Sequence, residues 1–207
     1  MGTGVIAPNG WVRQYAASLG AGGVTNLARN GWFSHQILRA LRRDHAFRDS
    51  VAHADVVVLN AGMNDFFTGR DIYGRGECGG SDGEACLRHM VDWFAVHWDA
   101  TVDEIRRLAP DARIVAANLY HPLEAWDQHF GWSDAINRHL QAMNDHVEST
   151  EDLTVVDLHA TFNGSDGLED PIALGYILPD AIHATALGHD AIATAAISAG
   201  ARTLRAP

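Results

Sequence analysis

The sequence predicts an α/β fold: a doubly wound parallel sheet with helices on both faces. Three observations carry that expectation. Segments with strand character and segments with helical spacing alternate along the chain. Two of the strand segments, 55–61 and 113–120, are close to unbroken apolar runs, as in parallel strands buried on both sides. At 207 residues, with no repeat, low-complexity tract or linker, the chain reads as one domain long enough to bury a full core.

The elements follow in order. Residues 1–10 are a glycine-rich loop, and a helix over 11–19 follows, with Trp11, Val12, Tyr15, Ala16 and Leu19 at helical spacing. A loop of this kind normally leaves a strand, so the first strand is expected to be missing from the start of this chain. Residues 23–28 read as a short strand that turns at Asn30-Gly31. A helix is expected over 34–41, with further helical turns toward Ala52.

Residues 55–61 read as a central strand ending at Gly62-Met63-Asn64-Asp65. Residues 67–83 carry glycines at 69, 74, 76, 79, 80 and 83 and are expected to form a long loop, a candidate rim or lid. From 84 to 108 the pattern is helical, with Met90, Phe94, His97, Thr101 and Ile105 stepping along one face. Residues 113–120 are a second buried strand. A loop of large rings follows, with His121, Trp126, His129, Phe130 and Trp132. A helix capped by Ser133 runs to about Glu148, a strand covers 153–158, a loop spans 163–177, and the last helix covers 186–202.

The chemistry concentrates in Asp180-Ala181-Ile182-His183. An acid three residues before a histidine can meet it on one side of a helical turn. The imidazole then serves as a base near neutral pH, and the carboxylate fixes its tautomer. The competing reading is a helix N-terminus with Asp180 or Thr185 as the cap and His183 on the surface. Asn64, directly after a buried strand, supplies an uncharged N–H donor suited to a developing oxyanion; its plainer reading is a turn asparagine. Asp65 reads as a structural residue holding that turn. His97 and His139 read as packing or surface groups, and His189 as a residue of the last helix's first turn.

Net charge is −11, with 26 acids against 15 bases, and every base is arginine. No basic run marks a nucleic-acid surface, and the acidity disfavours anionic substrates and membrane surfaces. No apolar run is long enough to span a bilayer, and residues 1–20 have no basic start followed by an apolar block. No histidine spacing supports a metal centre, so no cofactor is expected. Cys78 and Cys86 lie in the glycine-rich stretch; a local disulfide is preferred over two lone thiols, and a structural zinc lacks ligands.

Gly62-Met63-Asn64-Asp65, Asp180-Ala181-Ile182-His183 and the segment from Asn26 to Gly31 together resemble three blocks of the SGNH, or GDSL-type, hydrolases. Each block alone is weak; their order, spacing and placement after strands are jointly specific. The resemblance covers nearly the whole chain. It implies a three-layer α/β/α, flavodoxin-like domain over 1–207 acting on small-molecule esters, with esterases, lipases and carbohydrate deacetylases among its members. It implies His183 as general base, Asp180 as its orienting acid, and Asn64 and the Gly31 amide as oxyanion donors.

The chain departs from the family in one place. The family's Gly-Asp-Ser block is missing, while Met1-Gly2-Thr3-Gly4 resembles the residues that follow that serine. The expectation is therefore a nucleophile just before Met1, lost together with the first strand and any signal sequence. A secreted or cell-envelope protein then agrees with a disulfide; a cytoplasmic one is the alternative. Ser18, Ser34 and Ser50 lack the tight strand-to-helix turn that exposes a nucleophile. Two rival functions stand beside the esterase: a ligand-binding protein that has lost its serine, and a metal-dependent hydrolase using Asp65, Asp180 and His183.

Overall fold

The computed structural model describes residues 10–203. The glycine-rich start over 1–9 and the expected missing first strand lie outside these residues. Three parallel strands, β1 (Val56–Leu59), β2 (Arg113–Ala117) and β3 (Leu153–Val156), pair in the order β1-β2-β3. Val56 stands opposite Arg113, and Ile114 opposite Leu153.

Strand β2 shows why the sheet must be covered on both faces. Ile114 and Ala116 belong to one apolar core, while Val115 and Ala117 belong to the other. A period of two divides the strand between two helical layers. One layer holds α1 (Trp11–Ser18), α8 (Leu158–Asn163) and α9 (Ala186–Thr203). There Trp11 and Tyr15 of α1 share a core with Ile192 and Ala196 of α9. The other layer holds α2 (Ser34–Arg43), α3 (His45–Ala52), α4 (Met63–Gly74), α5 (Ala85–Leu108) and α7 (Ser133–Ser149). The result is the three-layer α/β/α fold that the alternation predicts.

Helix α5 is the backbone of that second layer. Leu87, Met90, Phe94, Trp98, Val102 and Ile105 are buried at steps of three and four, so a single stripe meets the core. Full burial of such a side chain stabilises by ~1.5–3 kcal/mol. His97, expected on that stripe, is only half-buried and hydrogen-bonds the carbonyl of Trp93.

Four expectations are corrected. Residues 23–28 form no strand: they are largely exposed, and among the described residues no strand pairs with them. Residues 67–74 are helix, not loop, because α4 runs on to Gly74. Two of its glycines serve packing: a Cβ on Gly69 would stand 2.5 Å from the Met90 sulfur, and one on Gly74 2.7 Å from the Trp132 ring. The ring-rich stretch after β2 contains a helix, α6 (Glu124–Phe130). The strand expected over 153–158 stops at Val156, and Leu158 opens α8 instead, with Asp157 as cap accepting from the Ala160 N–H. The rest of the glycine-rich stretch is pinned by a disulfide between Cys78 and Cys86, as preferred from sequence.

Candidate active site

The Asp180–His183 pair sits on a closed loop rather than on a helix. An antiparallel bridge joins Ile177 to Ala184, with Leu178 N–H donating to the His183 carbonyl at 2.8 Å and Thr185 N–H to the Tyr176 carbonyl at 2.9 Å. Between these bonds the chain turns through Ala181, a non-glycine residue at φ 57°. One carboxylate oxygen of Asp180 accepts the backbone N–H groups of Ile182 and His183 at 2.9 and 3.0 Å; the other faces His183 Nδ1 at 2.8 Å. Asp180 therefore fixes the loop and the ring together. The backbone N–H of His183, then its imidazole and the Ile182 N–H, hold the Asp180 carboxyl down at about 2. An ionised carboxylate at Nδ1 keeps the proton there and leaves Nε2 free as a base.

Thr185 caps α9: its hydroxyl oxygen accepts the Gly188 N–H at 3.1 Å and donates to the Gly175 carbonyl at 2.5 Å. Of the two capping candidates in the sequence, Thr185 caps the helix and Asp180 holds the loop before it.

The expected oxyanion donors come from a second locus. Strand β1 passes through Gly62 into α4, placing Asn64 and Asp65 in that helix's first turn. Gly62 is required twice over. Its φ is 107°, and a Cβ would stand 2.6 Å from the Phe94 ring and 3.1 Å from Leu119. Asn64 Nδ2 donates one N–H to the Trp32 carbonyl at 2.7 Å, leaving its second N–H for another acceptor. Gly31, at φ 73°, directly precedes Trp32, so Asn64 and the Gly31 turn lie side by side.

Among the described residues no hydrogen bond joins Asn64 or Gly31 to Asp180 or His183. A cavity of about 550 Å³ is lined by Asp180 and Ile182 from the loop and by Phe67 and Asp71 from α4; His183, Asn64 and Gly31 are not among its lining residues. Phe67 lies one helical turn after Asn64. Pro122 and Trp126 form another wall, so the ring-rich stretch after β2 and the start of the expected rim over 67–83 both border the cavity. Its walls are mostly apolar, with the carboxylates of Asp71, Asp170 and Asp180 among them.

Two features went unread in the sequence. Tyr120, three residues past the end of β2, is buried near Asp180; burial first, and then the Asp180 charge, push its hydroxyl well above the usual tyrosine range. Below the Trp126 wall lies a fully buried ionic group. His121 presents Nε2 to Asp127 at 2.9 Å and Nδ1 to Glu124, and Arg70 forks onto Asp127 with Nε at 2.9 Å. Burial disfavours the imidazolium, but the hydrogen bonds to Asp127 and Glu124 outweigh it and raise the His121 pKa. Arg70 brings a permanent cation to these buried carboxylates, and such pairing is what makes their burial tolerable. The only sequence signal is His121-x-x-Glu124-x-x-Asp127, in which Glu124 and Asp127 stand one turn apart in α6 and His121 lies just before it.

None of the sequence serines considered as substitutes is free. Ser34 is buried and donates to Asp65, Ser18 donates to the Tyr15 carbonyl, and Ser50 to the Ala46 carbonyl. No group of three or more His, Cys, Asp or Glu side chains suited to a metal ion occurs among the described residues.

Comparison with known proteins decides the family. The model of the GDSL-like lipase/acylhydrolase family matches residues 2–191. The chain belongs to this family. Among solved structures, it is similar to the lipase Lip_vut3 from a goat rumen metagenome. The TM-score is 0.73 and the identity 22%, over 97% of this chain and 91% of the lipase. At that identity the likeness speaks to the fold. No curated protein matches the chain. Membership of the family makes this GDSL-like protein a hydrolase of the esterase class. No described helix is long and apolar enough to cross a membrane.

Proposed function

We propose that this GDSL-like hydrolase cleaves carboxylic esters of small molecules through an acyl-enzyme, with His183 as base, Asp180 as its orienting acid, and Asn64 with the Gly31 amide as oxyanion donors. The observation that carries the reading is the 2.8 Å contact between Asp180 and His183 Nδ1, on a loop that shares a cavity with α4. In line with the family resemblance, the nucleophile in this proposal is the serine of the family's Gly-Asp-Ser block, which residues 1–207 lack.

In the first half-reaction His183 Nε2 takes the serine proton as the serine oxygen bonds to the ester carbon. The carbonyl π electrons move onto oxygen, and the neutral donors stabilise that charge. Collapse re-forms the C=O bond and breaks the ester C–O bond; the leaving alkoxide takes the proton from His183. Water then repeats the sequence and releases the acid. Asp180 stays ionised throughout, so only the imidazole exchanges protons.

The cavity accepts the acyl or alcohol part against Phe67 and Trp126, and its carboxylates disfavour anionic esters. The Cys78–Cys86 disulfide supports maturation in an oxidising compartment, secreted or in the cell envelope. The test is expression of this chain with and without its encoded upstream residues, assayed on a chromogenic short-chain ester. The extended form should be active and lose that activity on His183→Ala. Equal activity in both forms would overturn the upstream serine. An extended protein that binds but never cleaves esters would make this a ligand-binding relative.

A further inference from the structure

Asn64 and Asp65 are neighbours in the first turn of α4, and both reach the same remote segment. Asn64 bonds the Trp32 carbonyl, while Asp65 spends both carboxylate oxygens on Ser34: Oδ2 accepts its backbone N–H and Oδ1 its hydroxyl, each at 2.9 Å. Thirty-one residues separate the two partners in sequence. Asp65 and Ser34 are both buried, at 5% and 1% exposure, so neither bond competes with water.

Besides Asn64 and Asp65, the Gly31–Ser34 segment is held by the Phe33 N–H bond to Gln36 at 2.9 Å and by stacking of Trp32 on Phe47, neither of which reaches α4. Among the described residues it joins no strand, and residues 28–31 are exposed. Helix α2 begins at Ser34 with no cap from its own N-cap side chain. The Ser34 N–H is one of the orphan donors at a helix start, and Asp65 satisfies it from another element. A carboxylate between the first turns of α2 and α4 is also favoured by both helix dipoles.

We infer that Asp65 is a positioning residue of the oxyanion site: through Ser34 it clamps the Gly31 turn against Asn64, so that the Gly31 amide and the Asn64 side chain can serve one oxygen. This extends the sequence expectation that Asp65 holds its own turn; the turn it holds is the other one. The inference rests on the ester-hydrolase reading above.

The test is a double-mutant cycle in the extended protein, on an ester that its His183→Ala variant no longer cleaves. Asp65→Asn should lower kcat by roughly tenfold or more with KM within about threefold, as expected when donor alignment and not ground-state binding is lost. In the Asn64→Ala background the same substitution should cost at most a third as much, because half of the paired site is already gone. Equal factors in both backgrounds would reduce Asp65 to a fold-stabilising residue and overturn the inference. Ser34→Ala keeps the backbone bond to Asp65 and removes only the hydroxyl; it carries the same cycle if Asp65→Asn fails to fold. A readout independent of turnover is the NMR signal of the Asn64 side-chain amide, which should shift in Ser34→Ala. An unmoved signal would sink the clamp even if the protein proves not to be an esterase. Loss of the His183 dependence with an intact Asn64 shift would sink the esterase reading alone.

Discussion

The carbonyl oxygen of Tyr176 lies 2.0 Å from the point where a Cβ on Gly188 would stand. The same carbonyl accepts the Thr185 N–H that closes the loop carrying Asp180 and His183. Helix α9 can approach that loop only because residue 188 has no side chain. Gly188→Ala should therefore break the closing bond and cost about 1–3 kcal/mol or more, the usual penalty of overpacking. Thermal unfolding should show the loss, and ester hydrolysis should fall with it. An unchanged Tm would contradict the geometry.

Removal of the base should nearly silence the extended enzyme. His183→Ala should lower kcat by roughly 10³-fold or more, and Asp180→Asn by about 10²–10⁴-fold, since the ring would lose its fixed tautomer. Neither should change KM much. Steady-state kinetics on one short-chain ester measures both.

Asn64→Ala removes a neutral donor and leaves the proton chemistry intact. A fall of about 10²–10³-fold in kcat is expected, with the shape of the pH–rate profile unchanged. A change in that shape would assign Asn64 a different role.

The buried ionic group predicts a pH dependence of stability. The Glu124 carboxyl is fully buried, which raises its pKa, but hydrogen bonds from His121 and Ser133 bring it down to about 2. A depressed carboxyl stabilises the fold above its unfolded value of 4.5, and that contribution is lost as pH falls from 4.5 toward 2. His121 has the opposite sign. Its raised pKa stabilises fully below 6.5 and is lost as pH climbs through the folded value. Tm should therefore decline at both ends, and Glu124→Gln should flatten the acid side. Circular dichroism melts across pH 2–9 test this.

The disulfide closes a short loop between α4 and α5, with eight positions separating its cysteines. Chain-entropy reasoning gives about 2.5 kcal/mol for a loop of this size. Replacing both cysteines by serine should lower Tm by about 5–10 °C for a domain of this length, with activity at 25 °C preserved. A fall in activity without a fall in Tm would place the loop in the substrate path instead.

What depends on neighbours within one or two turns was legible in the amino-acid order. The spacing of Leu87, Met90, Phe94 and Trp98 fixed α5, and the apolar runs fixed β1 and β2. Asp180 and His183 are three residues apart, so their pairing too was legible. The tertiary structure alone decided whatever depends on a partner far along the chain. Glycines at 69 and 74 read locally as loop, yet they belong to a helix because Met90 and Trp132 press against it. Residues 23–28 have the composition of a strand, but a strand exists only where another offers its ladder, and none does among the described residues. His121 reads from sequence as one ring of a loop, and only folding brings Asp127, Glu124 and Arg70 around it. Local spacing encodes backbone conformation; burial and long-range hydrogen bonding, which the chain acquires only when closed, assign each polar group its work.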